Sequence, residues 1–237
     1  MNKEKYIDMP KLLSPFIREN VAGNYVCTPK INENLRWVFS SDCVATEKFD
    51  GTNVSILIEN RKIVAIYNRK NRIDMFAKGS RRFIEGILEA IEKDYLNLKK
   101  LKDGRHFGEL IGPQVNGNPY NRERHLWIPL DYIKEHYRFK FWNDFVKELD
   151  NLTDEQIFNK VSEVFKGLWS LYKRKHRVIG EVNEKTKFEG LAAEGIVFYK
   201  ADREIKLIPF GEKMTAFELC KLRRDMFEWF RGERHQI

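Results

Sequence analysis

Residues 44–60 read VATEKFDGTNVSILIEN. Lys48 follows Glu47, precedes Asp50 and Gly51 by two and three residues, and leads into an alternating apolar run. A lysine among acids at the mouth of a strand is either an ion-paired turn or a nucleophile held where a nucleotide can reach it. VSILI, from Val54, and KIVAIYN, from Lys62, alternate as strands do, and Glu59-Asn60-Arg61-Lys62 between them predicts a hairpin. Lys48 then sits at the start of a β-meander.

Downstream, SRRFIEGILEAIEKDYLNLKKL predicts a helix with Ser80 as N-cap and Phe83, Ile84, Ile87, Leu88, Ile91, Tyr95 and Leu98 along one face. RHFGELIG and YRFKFW read as strands. Thr153 with Gln156 makes a capping box opening a helix to about Lys173, its face carrying Ile157, Val161, Phe165, Leu168 and Tyr172. RVIGEVN, EGIVFYK and EIKLI read as strands, and Thr215 with Glu218 opens a last helix bearing Phe217, Met226, Phe227 and Phe230. Hairpins mixed with separate helices imply an α+β fold on antiparallel sheets. No repeat, low-complexity tract or linker interrupts the chain, so one domain over 1–237 is expected, with 213–237 as a helical tail.

The formal charge is +8, from 43 basic and 35 acidic residues, with pI near 9.2. That excess favours polyanions, because each phosphate contact releases counterions. No run of eighteen apolar residues is present, which excludes a membrane helix, and the start lacks a signal core. Cys27, Cys43 and Cys220 match no zinc spacing and read as reduced thiols of a cytoplasmic protein. His106, His125, His136, His176 and His235 show no ligand spacing. Neither a Rossmann fingerprint nor a P-loop occurs, so side chains must hold any nucleotide.

Four features recur in order: Lys48-Phe49-Asp50-Gly51, FGEL with Glu109 in mid-strand, EGIVFYK with Glu194 opening a strand, and EIKL with Lys206. Charges in mid-strand are costly unless they line a site, so these predict a polar cleft between sheets. Such a cleft suits attack of a lysine amine on an α-phosphate: a second cation such as Lys206 neutralises the phosphate oxygens, and a carboxylate such as Glu194 holds Mg²⁺. Singly, each residue is more often an exposed strand or turn residue, and only the ordered set points to chemistry.

The ordered set resembles the covalent nucleotidyltransferase superfamily of ligases and capping enzymes. Within it EKFDGTN is most similar to ATP-dependent RNA ligases, notably the second RNA ligase family of T-even phages and the kinetoplastid editing ligases. The resemblance spans Glu47 to Lys206 and implies an antiparallel-sheet, ATP-grasp-like nucleotidyltransferase domain with a central nucleotide cleft. It makes Lys48 the adenylylated nucleophile, with Glu47 beside it. Asp50 is placed on the ribose or metal side, and Asn53 against the adenylylated or RNA end. Arg69, with Arg72 competing, touches ribose and phosphate, and Glu109 the ribose hydroxyl. Phe141, or secondly Phe139, stacks on adenine. Glu194 assists lysine and metal, and Lys206 holds the α-phosphate. The implied cofactors are ATP as AMP donor and Mg²⁺ or Mn²⁺. The implied partners are 5′-phosphate and 3′-hydroxyl RNA ends, with an end-processing repair protein as a candidate and no membrane.

Two departures stand out. Asn53 occupies the place where DNA ligases and capping enzymes carry arginine, and Lys206 is flanked at one residue's distance by Glu204 and Ile208, not by a second lysine. Lys200 or Lys213 is then the candidate for the unfilled role. With about thirty residues after Lys206, no oligonucleotide-binding barrel is expected. A small DNA ligase, a GTP-using capping-type enzyme and a catalytically lapsed RNA-binding module stay open. Tyr172–Arg177 and the loop GPQVNGNPYNRERHLW (residues 112–127) are each an RNA or substrate contact or simply solvated structure.

Overall fold

The computed structural model describes residues 8–175, 191–201, 203–211 and 213–232. The strand expected at RVIGEVN, the end of the YKRKHR run, His176 and His235 lie outside the described residues. In chain order the first half carries β1 (Phe16–Val21), β2 (Asn24–Ile31), β3 (Cys43–Lys48), β4 (Thr52–Glu59), β5 (Lys62–Asn68), β6 (Asn71–Arg72), α1 (Arg81–Glu92) and β7 (Gly104–Ile111). There follow β8 (Leu126–Pro129), α2 (Leu130–His136), α3 (Trp142–Phe145), α4 (Asp154–Lys166) and α5 (Leu171–Lys175). The chain ends on β9 (Gly195–Lys200), β10 (Ile208–Phe210), β11 (Lys213–Thr215) and β12 (Leu219–Arg223). The architecture is mixed, with antiparallel strand pairs throughout the named sheets and no closed barrel among the described residues.

The chain forms two compact units, and the passage between them falls inside the opening motif, at Lys48/Phe49. One unit is built on Phe49–His136. Its sheet has the order β6-β5-β4-β7-β8. Alternation on β4 buries Val54, Ile56 and Ile58, which share a core with Ile87 and Ala90 of α1, Leu110 of β7 and Trp127 of β8. The Trp127 indole, fully buried, donates to Val54 O at 3.0 Å, so its polar edge is satisfied inside the core. The β4–β5 hairpin turns through Asn60 and Arg61, both at positive φ (50° and 62°), the type I′ geometry that matches strand twist.

The α1 face differs from the periodic expectation. Leu88 and Ile91 are exposed, while Glu89 is buried because Arg124 and Arg122 of the following loop pair with it. Ser80 does not cap the helix with its side chain; its Oγ donates instead to Met75 O at 2.8 Å. The helix also stops at Glu92.

The other unit comprises Pro10–Lys48 and the chain from Tyr137 onward. Its central sheet is β12-β9-β3, with the β1–β2 and β10–β11 hairpins as separate ribbons. Phe16, Leu35, Val38, Phe165, Phe198 and Leu222 are among the residues of its core. The Thr153 capping box forms as expected, with reciprocal bonds to Gln156, but Gly167 ends α4 well before Lys173.

Three further expectations are corrected here. YRFKFW is no strand: Arg138 makes one isolated bridge to Thr46, and the chain then turns so that Trp142 opens α3. EIKLI supplies a strand only from Ile208. In place of the helix expected over residues 213–237, the described residues 213–232 form β11, β12 and a short 3-10 turn at Arg224–Met226. Leu219, Cys220 and Leu222 are all buried, and pairing with β9 satisfies their backbone, which overrides the weak local helix signal. The capping-box residues are used elsewhere: Thr215 Oγ1 donates to Lys11 O, and Glu218 accepts from Lys206 N.

Candidate active site

Lys48 is the last residue of β3 and lies in register with Gly195, the first of β9; Arg223, the last of β12, lies in register with Gly195 from the other side. Directly opposed residues on neighbouring strands share a face, so Lys48 and Arg223 project to the same side, and Lys221, two residues from Arg223, joins them. Glu194, just ahead of β9, completes the group. Lys48 Nζ donates to Glu194 Oε2 at 2.6 Å, with the side chains 20% and 15% exposed. That exposure leaves the pair shielded yet reachable.

Arg223 lies 3.9 Å from Glu194 Oε1 and 3.0 Å from Asp225 Oδ2. Its Nε is buried without a partner, a donor available to an anion. Burial, then the neighbouring charges of Arg223 and Lys48, pushes Lys221 down to about 8. Three cations, Lys48, Lys221 and Arg223, gathered around the carboxylates of Glu194 and Asp225 repel each other, and bound phosphate would relieve that repulsion.

Gly195 makes this convergence sterically feasible. A Cβ there would meet Leu222 O and lie 2.8 Å from Arg223 Cα, so only glycine lets β12 approach β9 at this point.

Glu47, expected at the nucleotide, is occupied within the protein instead. It is 1% exposed; Oε1 accepts from Ser170 Oγ at 2.5 Å and Oε2 from Tyr172 N at 2.9 Å, at the start of α5. Both bonds satisfy a buried carboxyl that would otherwise be costly, and they fix the residue before Lys48.

Phe141 and Lys206 are not brought to Lys48. Residues 137–139 run antiparallel along β3, with Glu47 N bonded to Tyr137 O and Phe139 N to Ala45 O. Each residue carries the chain about 3.3 Å further from Lys48, so Phe139 is already displaced along the strand by about 10 Å and Phe141 lies beyond it. Phe139 is core and Phe141 is exposed. Lys206 is exposed, precedes β10 and stands in no strand. Sequence reasoning missed Lys221 and Arg223. Their signal was present in CKLRR, two cations separated by one apolar residue, but it lay inside a segment read as helix.

The other unit holds the remaining motif residues. Asn116 Nδ2 donates to Asp50 Oδ1 at 2.8 Å and to Gly51 O at 2.7 Å, while Asp50 N donates to Tyr120 Oη at 2.9 Å. The loop of residues 112–127 therefore braces the motif, and it is itself clamped to α1. His125 bridges Glu85 (2.5 Å) and Pro113 O (2.7 Å), and Arg124 pairs with Glu89 at 2.7 Å. The His125 bond holds the Glu85 carboxyl below the usual range. A Cβ at Gly51 would meet Leu110 O and sit 2.7 Å from Glu109 Cγ, so β7 passes too close for any other residue. Glu109 pairs in register with Asn53, whose Oδ1 is buried without a partner. Arg69, on the β5–β6 turn, and Arg72, in β6, are exposed, and Arg69 N bonds to Asn53 O.

Among the described residues no cluster of three or more metal-ligating side chains forms. The single carboxylate of Glu194 still fits Mg²⁺ or Mn²⁺, since Mg²⁺ keeps most of its waters and takes one or two carboxylates with substrate phosphates. No helix among the described residues is long and apolar enough to cross a membrane.

Comparison with curated proteins finds no match. Among solved structures, the chain is similar to RNA ligases of Naegleria gruberi. An apo mutant overlaps with TM-score 0.45 at 14% identity, covering 92% of this chain and 57% of that one. A mutant with AMP and Mn gives 0.42 at 12% identity over 89% and 60%, and a second apo mutant 0.42 at 15% over 88% and 61%. The chain thus spans about 60% of the length of these structures. The RNA ligase family profile matches residues 41–213, from the strand bearing Lys48, past Glu194, β9 and β10, to the start of β11. On that match over most of its length, the chain belongs to the RNA ligase family.

Proposed function

We propose that this protein is an ATP-dependent RNA ligase that joins 5′-phosphate and 3′-hydroxyl ends through a lysine adenylate. The observation that carries the reading is the shielded Lys48–Glu194 pair at 2.6 Å, in a chain of this family. Lys48 attacks the α-phosphorus of ATP as the free amine; the P–N bond forms, the P–O bond to pyrophosphate breaks, and pyrophosphate leaves. Glu194 Oε2 is the hydrogen-bonded acceptor through which the ammonium proton departs. Arg223, with its unpaired Nε, and Lys221 offset charge growing on the phosphate oxygens. AMP then passes to an RNA 5′-phosphate, and a 3′-hydroxyl attacks the activated end and expels AMP.

A divalent ion held through Glu194 and water would supply charge neutralisation on the phosphates. Asp50 is assigned to the ribose or metal side, Glu109 to the ribose hydroxyl, Arg69 to ribose and phosphate, and Asn53 to the adenylylated or RNA end. The partnerless Asn53 Oδ1 supports its assignment as a ligand contact. The free, buried thiols fit a reducing compartment, so the reading includes a cytoplasmic enzyme of RNA repair, with an end-processing protein as partner.

The test is a matched set of nicked duplexes, RNA and DNA, each with ATP or GTP. Sealing of the RNA nick with ATP is expected. Sealing that favours DNA, or that runs on GTP, would replace this reading with a neighbouring one.

A further inference from the structure

Between β6 and α1 the chain makes a hydrogen-bonded turn rather than a loose loop. Phe76 N donates to Asp74 Oδ1 at 2.9 Å, Ala77 N to Asp74 O at 3.1 Å, and Ser80 Oγ to Met75 O at 2.8 Å. This ordered turn presents its apolar residues outward: Phe76 is 97% exposed and Met75 46%. A phenylalanine so fully in water gains nothing from the fold, and an exposed apolar tip held in place marks a contact surface.

The surroundings say which kind. Residues 69–82 carry Arg69, Lys70, Arg72, Lys78, Arg81 and Arg82 against one acid, Asp74. Arg81 and Arg82 occupy the first turn of α1, which has no acidic residue, so both oppose the helix dipole. Cations placed where the helix disfavours them are stabilised by a polyanion. The turn also leaves the sheet at the Asp50–Gly51 end: β5 finishes opposite the start of β4, Arg69 N bonds to Asn53 O, and Ile73 N bonds to Ile66 O.

We propose that Phe76, with Met75, stacks on an exposed base of the RNA substrate while Lys70, Lys78 and Arg81 hold the adjoining phosphates. Every base offers a π-face, so the contact grips RNA without reading its sequence. The inference rests on the reading of RNA as substrate, and its test is independent of ATP chemistry.

Binding of a nicked RNA duplex with a 5′-hydroxyl, which cannot be joined, is followed by fluorescence anisotropy without ATP. Phe76→Ala is expected to weaken binding about tenfold or more, and Phe76→Trp to retain it with indole quenching on RNA. Lysine adenylylation should be equal in all three proteins. As Phe76 touches solvent almost entirely, loss of folding is not expected, and circular dichroism checks it. Phe76→Ala binding as tightly as wild type overturns the inference, as does wild type failing to bind RNA. So does an effect confined to anionic lipid vesicles, which would make the turn a membrane contact. If RNA binding falls as expected but no protein takes up adenylate, the contact stands and the ligase reading fails.

Discussion

Lys48 and Arg223 stand on either side of Gly195, one on each strand that pairs with it, and face the same way. This places an amine and a guanidinium along one row of the sheet, with Glu194 bonded to the first at 2.6 Å and 3.9 Å from the second.

Arg223→Ala should slow lysine adenylylation by roughly 100-fold, the usual loss when one donor to a developing oxyanion is removed. Rapid-quench kinetics with labelled ATP measure it. A loss in KM alone, with kcat intact, would show that Arg223 merely binds ground-state phosphate.

On the proposed reading, Lys221 should make adenylylation sensitive to alkali. Its folded pKa is pushed down from 10.5 to about 8, so above that pH its charge is lost and kcat/KM for ATP should decline. Lys221→Arg should move that limb to higher pH. The linkage has a definite sign: the folded state binds fewer protons than the unfolded between about 8 and 10.5, so this group's contribution to stability is complete above 10.5 and is lost as pH falls through 8. Denaturant titrations of wild type and Lys221→Met across that window should differ in slope accordingly.

Asn116 donates to Asp50 Oδ1 and Gly51 O, and on the proposed reading it acts as a positioning residue through them. Asn116→Ala should lower kcat for adenylylation by roughly 10- to 100-fold while shifting stability by only about 1 kcal/mol. Asn116→Asp, which cannot donate to the Asp50 carboxylate, should behave like alanine, whereas a purely structural role would leave kcat unchanged in both.

Much of this was legible in the chain. Apolar, strand-like runs at Val54–Ile58 and Lys62–Asn68 around Glu59-Asn60-Arg61-Lys62 specified the hairpin, and the pairing of Lys48 with Glu194 joins two of the motifs that the sequence singled out. What escaped was pairing at a distance. Lys221 and Arg223 become part of the site only because β12 lies against β9 after the intervening β10–β11 hairpin, and no local pattern encodes that register. Phe141 was misjudged for a related reason: RFKFW alternates like a strand, yet one bridge at Arg138 and a turn into α3 carry it away from Lys48.

The three thiols offer a check on the fold alone. Cys27, Cys43 and Cys220 are buried, and burial raises each thiol, Cys27 to about 11. Native protein at pH 8 should resist iodoacetamide at all three sites and react fully once unfolded.

The most direct measurement is the intact mass and tryptic map of protein incubated with ATP and Mg²⁺. One adenylate on the peptide containing Lys48, absent from Lys48→Ala, is the predicted result. Equal labelling of the variant, or adenylate carried on another lysine, would contradict the central claim.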